Sequence, residues 1–368
     1  MLSESPVPVR SALRFLALPY CFFSLVNWKE CSRSAFGVVA DFLYIFFRLK
    51  CYPDNYSACR LDEKPRDAWS YYYGSSYNPH PRKRLRKEVQ RYDYQVIFND
   101  KAVSELVCRG VDLRLPRYFG EIEPSQPYAA RIEAIFAANE SLNKIIIKPV
   151  MGHAGRGIEV AYRSGSQIVV KTGTGVVSLQ DYRLQGTAIV QEYLQQHAKI
   201  AAISNTSVNT IRLVTLSTKS GETILVSAAM RFGVGNAHVD NWSSGGIAVG
   251  VDHHNGRLME VAFDKNGNRF HAHPDTKHAF LGFELPFWKE TVEIATKLQS
   301  AASFYKLIGV DVALAPDGPI LIEMNANPDI VFQEQTAGPL LRDPRVLQAF
   351  HEYGLLYNAA QLRLLERR

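Results

Sequence analysis

The chain has 368 residues, 46% hydrophobic and 21% charged, a balance that supplies a large core and excludes disordered and fibrous classes. Lys and Arg number 42 against 36 Asp and Glu, and the formal net charge of +6 suits an anionic small substrate such as a nucleotide while making no demand for nucleic acid. Five cysteines (Cys21, Cys31, Cys51, Cys59, Cys108) form no C-x-x-C pair, which argues for free thiols in a reducing cytoplasm and against a zinc site.

Residues 1–95 read as a helical N-terminal extension rich in aromatics, among them Tyr71, Tyr72 and Tyr73. No apolar core followed by a small-residue cleavage site marks a signal peptide. Residues 12–26 and 35–47 are apolar but too short to span a bilayer, which leaves a pair of core-packing helices or peripheral membrane attachment. The basic run at 82–87 is either a solvated face or a contact for anionic lipid or polyanionic sugar. Next come a helix expected over 88–106, a short strand over 113–119, and a helix over 126–141 with Ile132, Ile135 and Phe136 on one side.

Strands then dominate. Residues 144–150 are β-branched and buried in pattern, and 158–163 with 167–172 form a hairpin turned at Ser164-Gly165. Further strands are expected at 187–194, 209–218, 223–234, 246–252 and 258–264. A helix over 286–304 carries Phe287, Thr291, Ile294, Leu298 and Ala301 on one stripe. Residues 308–325 read as a hairpin turned at Asp317-Gly318, and 343–368 as a terminal helix. There is no internal repeat and no low-complexity tract.

The hairpin concentrates the chemistry. Ile308, Val310, Val312 and Leu314 share one face, so Asp311 points to the other, and Glu323 and Asn325 share a face of the returning strand. Three hard oxygen donors with little positive charge beside them suit Mg²⁺; a plain polar outer face is the alternative. Lys148 ends a buried strand directly before three glycines in six residues, Gly152, Gly155 and Gly157. This is a lysine-plus-loop arrangement for phosphate, or a plain hairpin turn. It is neither a P-loop nor a dinucleotide fingerprint, because the lysine precedes the glycines and strands follow them. Lys101 lies in Asn99-Asp100-Lys101 upstream. The segment Val190-Gln-Glu-Tyr-Leu194 has backbone groups to offer an adenine edge, or is an edge strand. Arg212 and Arg231, on long strands, balance transferred phosphate and a substrate carboxylate, or are two unrelated surface arginines. Residues 240–246 form a second anion cradle or a turn.

In order, these features resemble the ATP-grasp superfamily. The blocks NDKAVSELV, QEYLQQHAKI, SVNTIRLVTL, VDNWSSGGI and IGVDVALAPDGPILIEMNANPD, spanning about 95–335, are similar to the sugar-transfer associated ATP-grasp family. The resemblance implies an α/β (α+β) ATP-grasp fold, two lobes clamping ATP. It divides the chain into an N-terminal extension at 1–95, a preceding region at 96–143, a small lobe at 144–198, a large lobe at 199–340 and a C-terminal helix at 341–368. It implies that Lys101 and Lys148 contact ATP phosphates, with Gly152, His153, Gly155, Arg156 and Gly157 in the mobile loop over them. Gln191, Glu192 and Leu194 hold adenine, and Gln196 or His197 the ribose; Gln191 stands where many ATP-grasp enzymes have an acidic residue. Asp311, Glu323 and Asn325 bind Mg²⁺, while Arg212, Arg231 and Asn241 surround the γ-phosphate and an acyl phosphate. The implied activity is ATP-dependent carboxylate–amine ligation on a sugar-linked substrate of surface polysaccharide biosynthesis, in the cytoplasm or at the inner face of the membrane. A small-molecule kinase and a non-catalytic nucleotide-binding scaffold are the alternatives. Nothing in the sequence bears on oligomeric state.

Overall fold

The structure, a computed structural model, describes residues 16–74, 85, 87–152, 155–235, 240, 242 and 245–367. Of the sequence candidates, His153, Asn241 and most of the basic run at 82–87 lie outside the described residues.

Two antiparallel sheets organise the chain. The smaller contains β1 (Tyr118–Ile122), β2 (Lys144–Pro149), β3 (Glu159–Ser164), β4 (Gln167–Thr172), β5 (Gly175–Ser178) and β6 (Ala188–Glu192), in the order β1-β6-β2-β3-β4-β5. The larger contains β7 (Thr210–Ser217), β8 (Thr223–Phe232), β9 (Ile247–Asp252), β10 (Arg257–Phe263), β11 (Arg269–Phe270), β12 (Leu307–Ala315) and β13 (Gly318–Asn325). Its order is β11-β10-β9-β8-β7-β12-β13, so β12 pairs with β7 across about ninety residues of sequence.

Alternation decides which face each residue covers. Ile211 and Leu213 of β7 join Ile308, Val310, Val312 and Leu314 of β12 in one core, covered by the Trp288–Ala301 helix. Val214, Leu216 and Leu307 on the opposite face meet Leu347 and Phe350 of the Pro344–Glu352 helix. The small sheet packs Ile145 and Ile147 on Ile132, Ile135 and Phe136 of the Tyr128–Ala137 helix. A fourth core, built from residues 21–72, gathers Phe42, Ile45, Tyr56 and Trp69 around the buried carboxylate of Asp41, which accepts from Tyr56 Oη at 2.7 Å and Arg66 Nη2 at 2.7 Å. That module is clamped by residues far along the chain: Asn358 Nδ2 donates to Leu49 O at 2.9 Å, and the backbone N–H groups of Tyr73 and Gly74 donate to Glu334.

Several elements differ from the sequence expectation. The helix over 88–106 is broken: Val96–Asn99 ends at Asp100, whose carboxylate caps a new helix, Lys101–Gly110, by accepting from Ala102 N at 2.9 Å and Val103 N at 3.1 Å. The strand over 113–119 sits later, at Tyr118–Ile122, and β5 was not anticipated. The Trp288–Ala301 helix buries Thr291, Ala295, Leu298 and Gln299, and Ala301 is exposed. The β12–β13 turn falls one residue early, at Pro316-Asp317, with Ala315 opposite Gly318. The terminal helix stops at Glu352, because Gly354 (φ +64°) and Leu355 send their N–H groups back to His351 O and Phe350 O. Asn358 then caps a separate short helix.

Candidate active site

A cavity of about 600 Å³ lies between the sheets. Its walls include Lys101, Lys148, Gly152, Gly155 and Arg156 on the small-sheet side, Gln191, Glu192 and Leu194 at the crossing strand, and Arg212, Arg231, Asp311, Glu323 and Asn325 on the large sheet. Gly157, Gln196 and His197 are not on that wall.

The two lysines, distant in sequence, are brought together by backbone pairing. Asp100 bridges Met151, Lys101 N donates to Val150 O at 3.1 Å, and Lys101 Nζ donates to Gly152 O at 3.0 Å. Lys148 is 8% exposed and its Nζ has no hydrogen bond or ion pair among the described residues. Burial pulls its pKa down, Glu323 across the cavity acts the other way, and Lys101 adds to the depression. The loop after β2 needs its glycine at 157: φ is +71°, and a Cβ there would meet Pro149 Cγ at 2.9 Å.

At the crossing strand, Gln191 is buried and its Nε2 donates to Glu105 Oε2 at 2.9 Å. Glu105 is in turn held by Arg109 at 2.6 Å. Gln191 Oε1 is buried without a donor among the described residues. Gln196 is consumed elsewhere: Nε2 donates to Ser204 O at 2.6 Å, and Oε1 accepts from Asn209 Nδ2 at 2.9 Å. His197 Nδ1 accepts from Lys199 N at 3.1 Å at the start of the Ala198–Ile203 helix. These bonds place Gln196 and His197 at the entry to β7.

The premise that little positive charge lies near the oxygen donors is also corrected. Asp311 is 3% exposed, sits directly opposite Arg212 in the β12–β7 register and opposite Glu323 in β12–β13, and is grasped by two guanidinium groups. It accepts from Arg212 Nε, from Arg212 Nη2 at 2.8 Å, from Arg231 Nη2 at 3.0 Å and from Asn325 Nδ2 at 3.5 Å. Arg231 Nε also donates to Thr210 Oγ1 at 3.1 Å and lies 3.5 Å from Asp240. Asp240 accepts from Thr210 N at 2.8 Å and Oγ1 at 2.5 Å. Burial works against charge on Asp311, yet Arg212 and Arg231 hold it below the usual carboxylate range. Burial pushes Asp240 up, with Arg231 and Thr210 offsetting part of the rise. Nη1 of each arginine has no protein partner among the described residues.

Glu105, Arg109, Thr210 and Asp240 are absent from the sequence candidates as individual residues. Asp240 opens a flagged loop, Thr210 and Glu105 lie in flagged blocks, and Arg109 follows Glu105 at i, i+4.

The sequence profile of the sugar-transfer associated ATP-grasp family matches residues 80–349. The chain belongs to that family. Membership gives it the ATP-grasp fold. No curated protein matches the sequence. Similar solved structures include D-alanine–D-alanine ligase from Bacillus anthracis, at 13% identity and TM-score 0.38 over 74% of this chain and 69% of that one. VanG D-Ala:D-Ser ligase from Enterococcus faecalis gives 13% identity and TM-score 0.40 over 70% and 62%. Biotin carboxylase from Campylobacter jejuni gives 12% identity and TM-score 0.39 over 72% and 48%.

Proposed function

We propose that this ATP-grasp protein ligates a carboxylate to an amine through an acyl phosphate, on a sugar or sugar-linked substrate. The reading rests chiefly on one observation: Arg212 and Arg231, which line the cavity, are braced through Nε and Nη2 by Asp311, Thr210 and Asp240, and Nη1 of each has no partner among the described residues. Fixed guanidinium groups with spare N–H donors suit a carboxylate and the charge of its phosphorylated form. Gln191, Glu192 and Leu194 line the cavity where the crossing strand ends, and the backbone groups there suit an adenine edge. Lys148, buried without a counter-ion partner, and Lys101 beside the glycine loop suit the phosphates. Glu323 and Asn325 are hard oxygen donors fit for Mg²⁺ shared with phosphate oxygens, and Asp311 Oδ1, with a single bond, keeps a lone pair for the same ion. When bound, Mg²⁺ supplies charge neutralisation between phosphate oxygens.

The carboxylate attacks the γ-phosphate, releasing ADP; the amine then displaces phosphate to leave an amide. The protein's residues position the reactants and offset charge. The sugar assignment draws on the family description. Paired measurement of ADP and inorganic phosphate across uronic acids, amino sugars and amino acids tests the reading. Equal ADP and phosphate, rising only when carboxylate and amine are both present, is expected. ADP without free phosphate, alongside a stable phosphorylated product, overturns it in favour of a kinase.

A further inference from the structure

We propose that residues 16–50 form a surface that seats the protein on an anionic lipid bilayer. The inference concerns a face remote in sequence from the cavity residues and does not depend on the reaction proposed above.

The helix Ala35–Tyr44, continued as a π-helix through Ile45–Leu49, is apolar on two opposite sides. Val38, Phe42, Ile45 and Leu49 face inward to the N-terminal core. Phe36, Val39, Leu43 and Phe47 recur at spacings of three and four on the other side, and Phe36 is 90% exposed. The preceding helical segment, 16–20 running into Cys21–Leu25, repeats the pattern: Cys21 is buried, while Leu16, Tyr20 and Phe23 form an exposed stripe with Leu16 at 67% and Phe23 at 76%. Trp28 adds a further exposed ring. So many large apolar side chains on one short segment mark an interaction face.

Charge selects the occupant. Lys29, Arg48 and Lys50 are exposed in the same segment. Its two acidic residues are already engaged: Glu30 with Arg60 at 3.2 Å, and Asp41 buried against Tyr56 and Arg66. The segment thus joins exposed apolar side chains to the exposed cations Lys29 and Arg48, which complements anionic headgroups over acyl chains. A second copy would set like charges against one another. Among the described residues, no helix is long and apolar enough to cross a membrane. The geometry therefore suits helices lying in the interface.

The experiment is co-sedimentation of the full chain with phosphatidylcholine vesicles, with and without phosphatidylglycerol, at low and high salt. Binding to the anionic vesicles, weakened by salt, is expected. Phe36→Ser with Leu43→Ser should lower the partition coefficient by roughly tenfold or more. Lys29→Gln with Arg48→Gln should abolish the preference for phosphatidylglycerol. All four side chains are exposed, so thermal melting should be unchanged and separates lost binding from lost fold. Absence of the wild type from anionic vesicles at low salt overturns the proposal, as does binding indifferent to both variant pairs. A concentration-dependent dimer in sedimentation velocity, dissolved by the Phe36→Ser and Leu43→Ser pair, also overturns it and assigns the face to a second copy.

Discussion

Lys148 shows how a residue suited to ligand is costly without one. Its folded pKa lies below the ordinary lysine value, so the folded chain gives up that proton more readily than the unfolded one. Below the folded pKa the buried cation costs stability, and the cost is relieved as pH rises toward the ordinary value. Lys148→Met should therefore melt no lower than wild type at neutral pH while weakening ATP by about 1.5–3 kcal/mol, roughly 10- to 150-fold in Kd. Calorimetric titration beside a melting curve checks both; unchanged affinity with a lower midpoint contradicts the assignment. For Glu323→Ala, turnover should fall by at least roughly 100-fold with folding retained, since the side chain is only partly buried at the cavity. Near-wild-type turnover would remove Glu323 from the metal set. At this scale the sequence was informative where a residue's neighbours along one strand define its face, as with Asp311, Glu323 and Asn325. It was silent on the partners across strands: the arginines on Asp311 arrive from β7 and β8, and Glu105 reaches Gln191 across 86 residues.

Among elements, the Ile330–Ala337 helix carries an unusual junction. Glu334, 1% exposed, accepts from Tyr73 N at 2.6 Å, Leu340 N at 3.3 Å and Gly74 N at 3.4 Å. Burial pushes its pKa up to about 8, against the pull of those three donors. Between the ordinary glutamate value and about 8, the folded state keeps a proton that the unfolded state releases, so stability should fall as pH rises through that window. The slope approaches but does not exceed about 1.4 kcal/mol per pH unit. Denaturant titrations across the window should show this decline, and Glu334→Gln should flatten it. Glu334→Ala, which strands three buried N–H groups, should cost about 3 kcal/mol; a loss under roughly 1 kcal/mol would mean water replaces the carboxylate. Element types were legible wherever alternation or β-branched runs were strong, as in β2, β7, β8 and β12. Boundaries failed where a cap outweighs periodicity: Asp100 divides one expected helix, and Gly354 with Asn358 divides another. Both signals stood in the sequence and were overridden by an apolar pattern that runs through them.

Over the whole molecule, the cavity between sheets makes nucleotide binding a stabilising linkage. ATP at about 100 times its Kd should add about 2.7 kcal/mol of stability. Chelating divalent cations should return part of that gain, and in Glu323→Ala chelation should change nothing further. A wild-type midpoint insensitive to chelation argues against a metal shared with phosphate. The ordered blocks from 95 to 335 made the two-lobed architecture readable in advance. In the N-terminal module the helix Ala35–Tyr44 had a period to read, whereas the short 3₁₀ turns at Pro53–Asn55, Leu61–Glu63 and Ala68–Tyr71, which pack around Asp41, leave none. The clamp on that module also governs how the protein is made. Asn358 reaches back 309 positions to Leu49, and at about 5–20 residues per second a ribosome needs roughly 15–60 s to cover that distance. Through that interval the nascent module lacks its clasp and its sticky aromatic side chains stand open, so a cell should depend on chaperones, or on prompt capture by a surface, to bring each new molecule through synthesis without clumping.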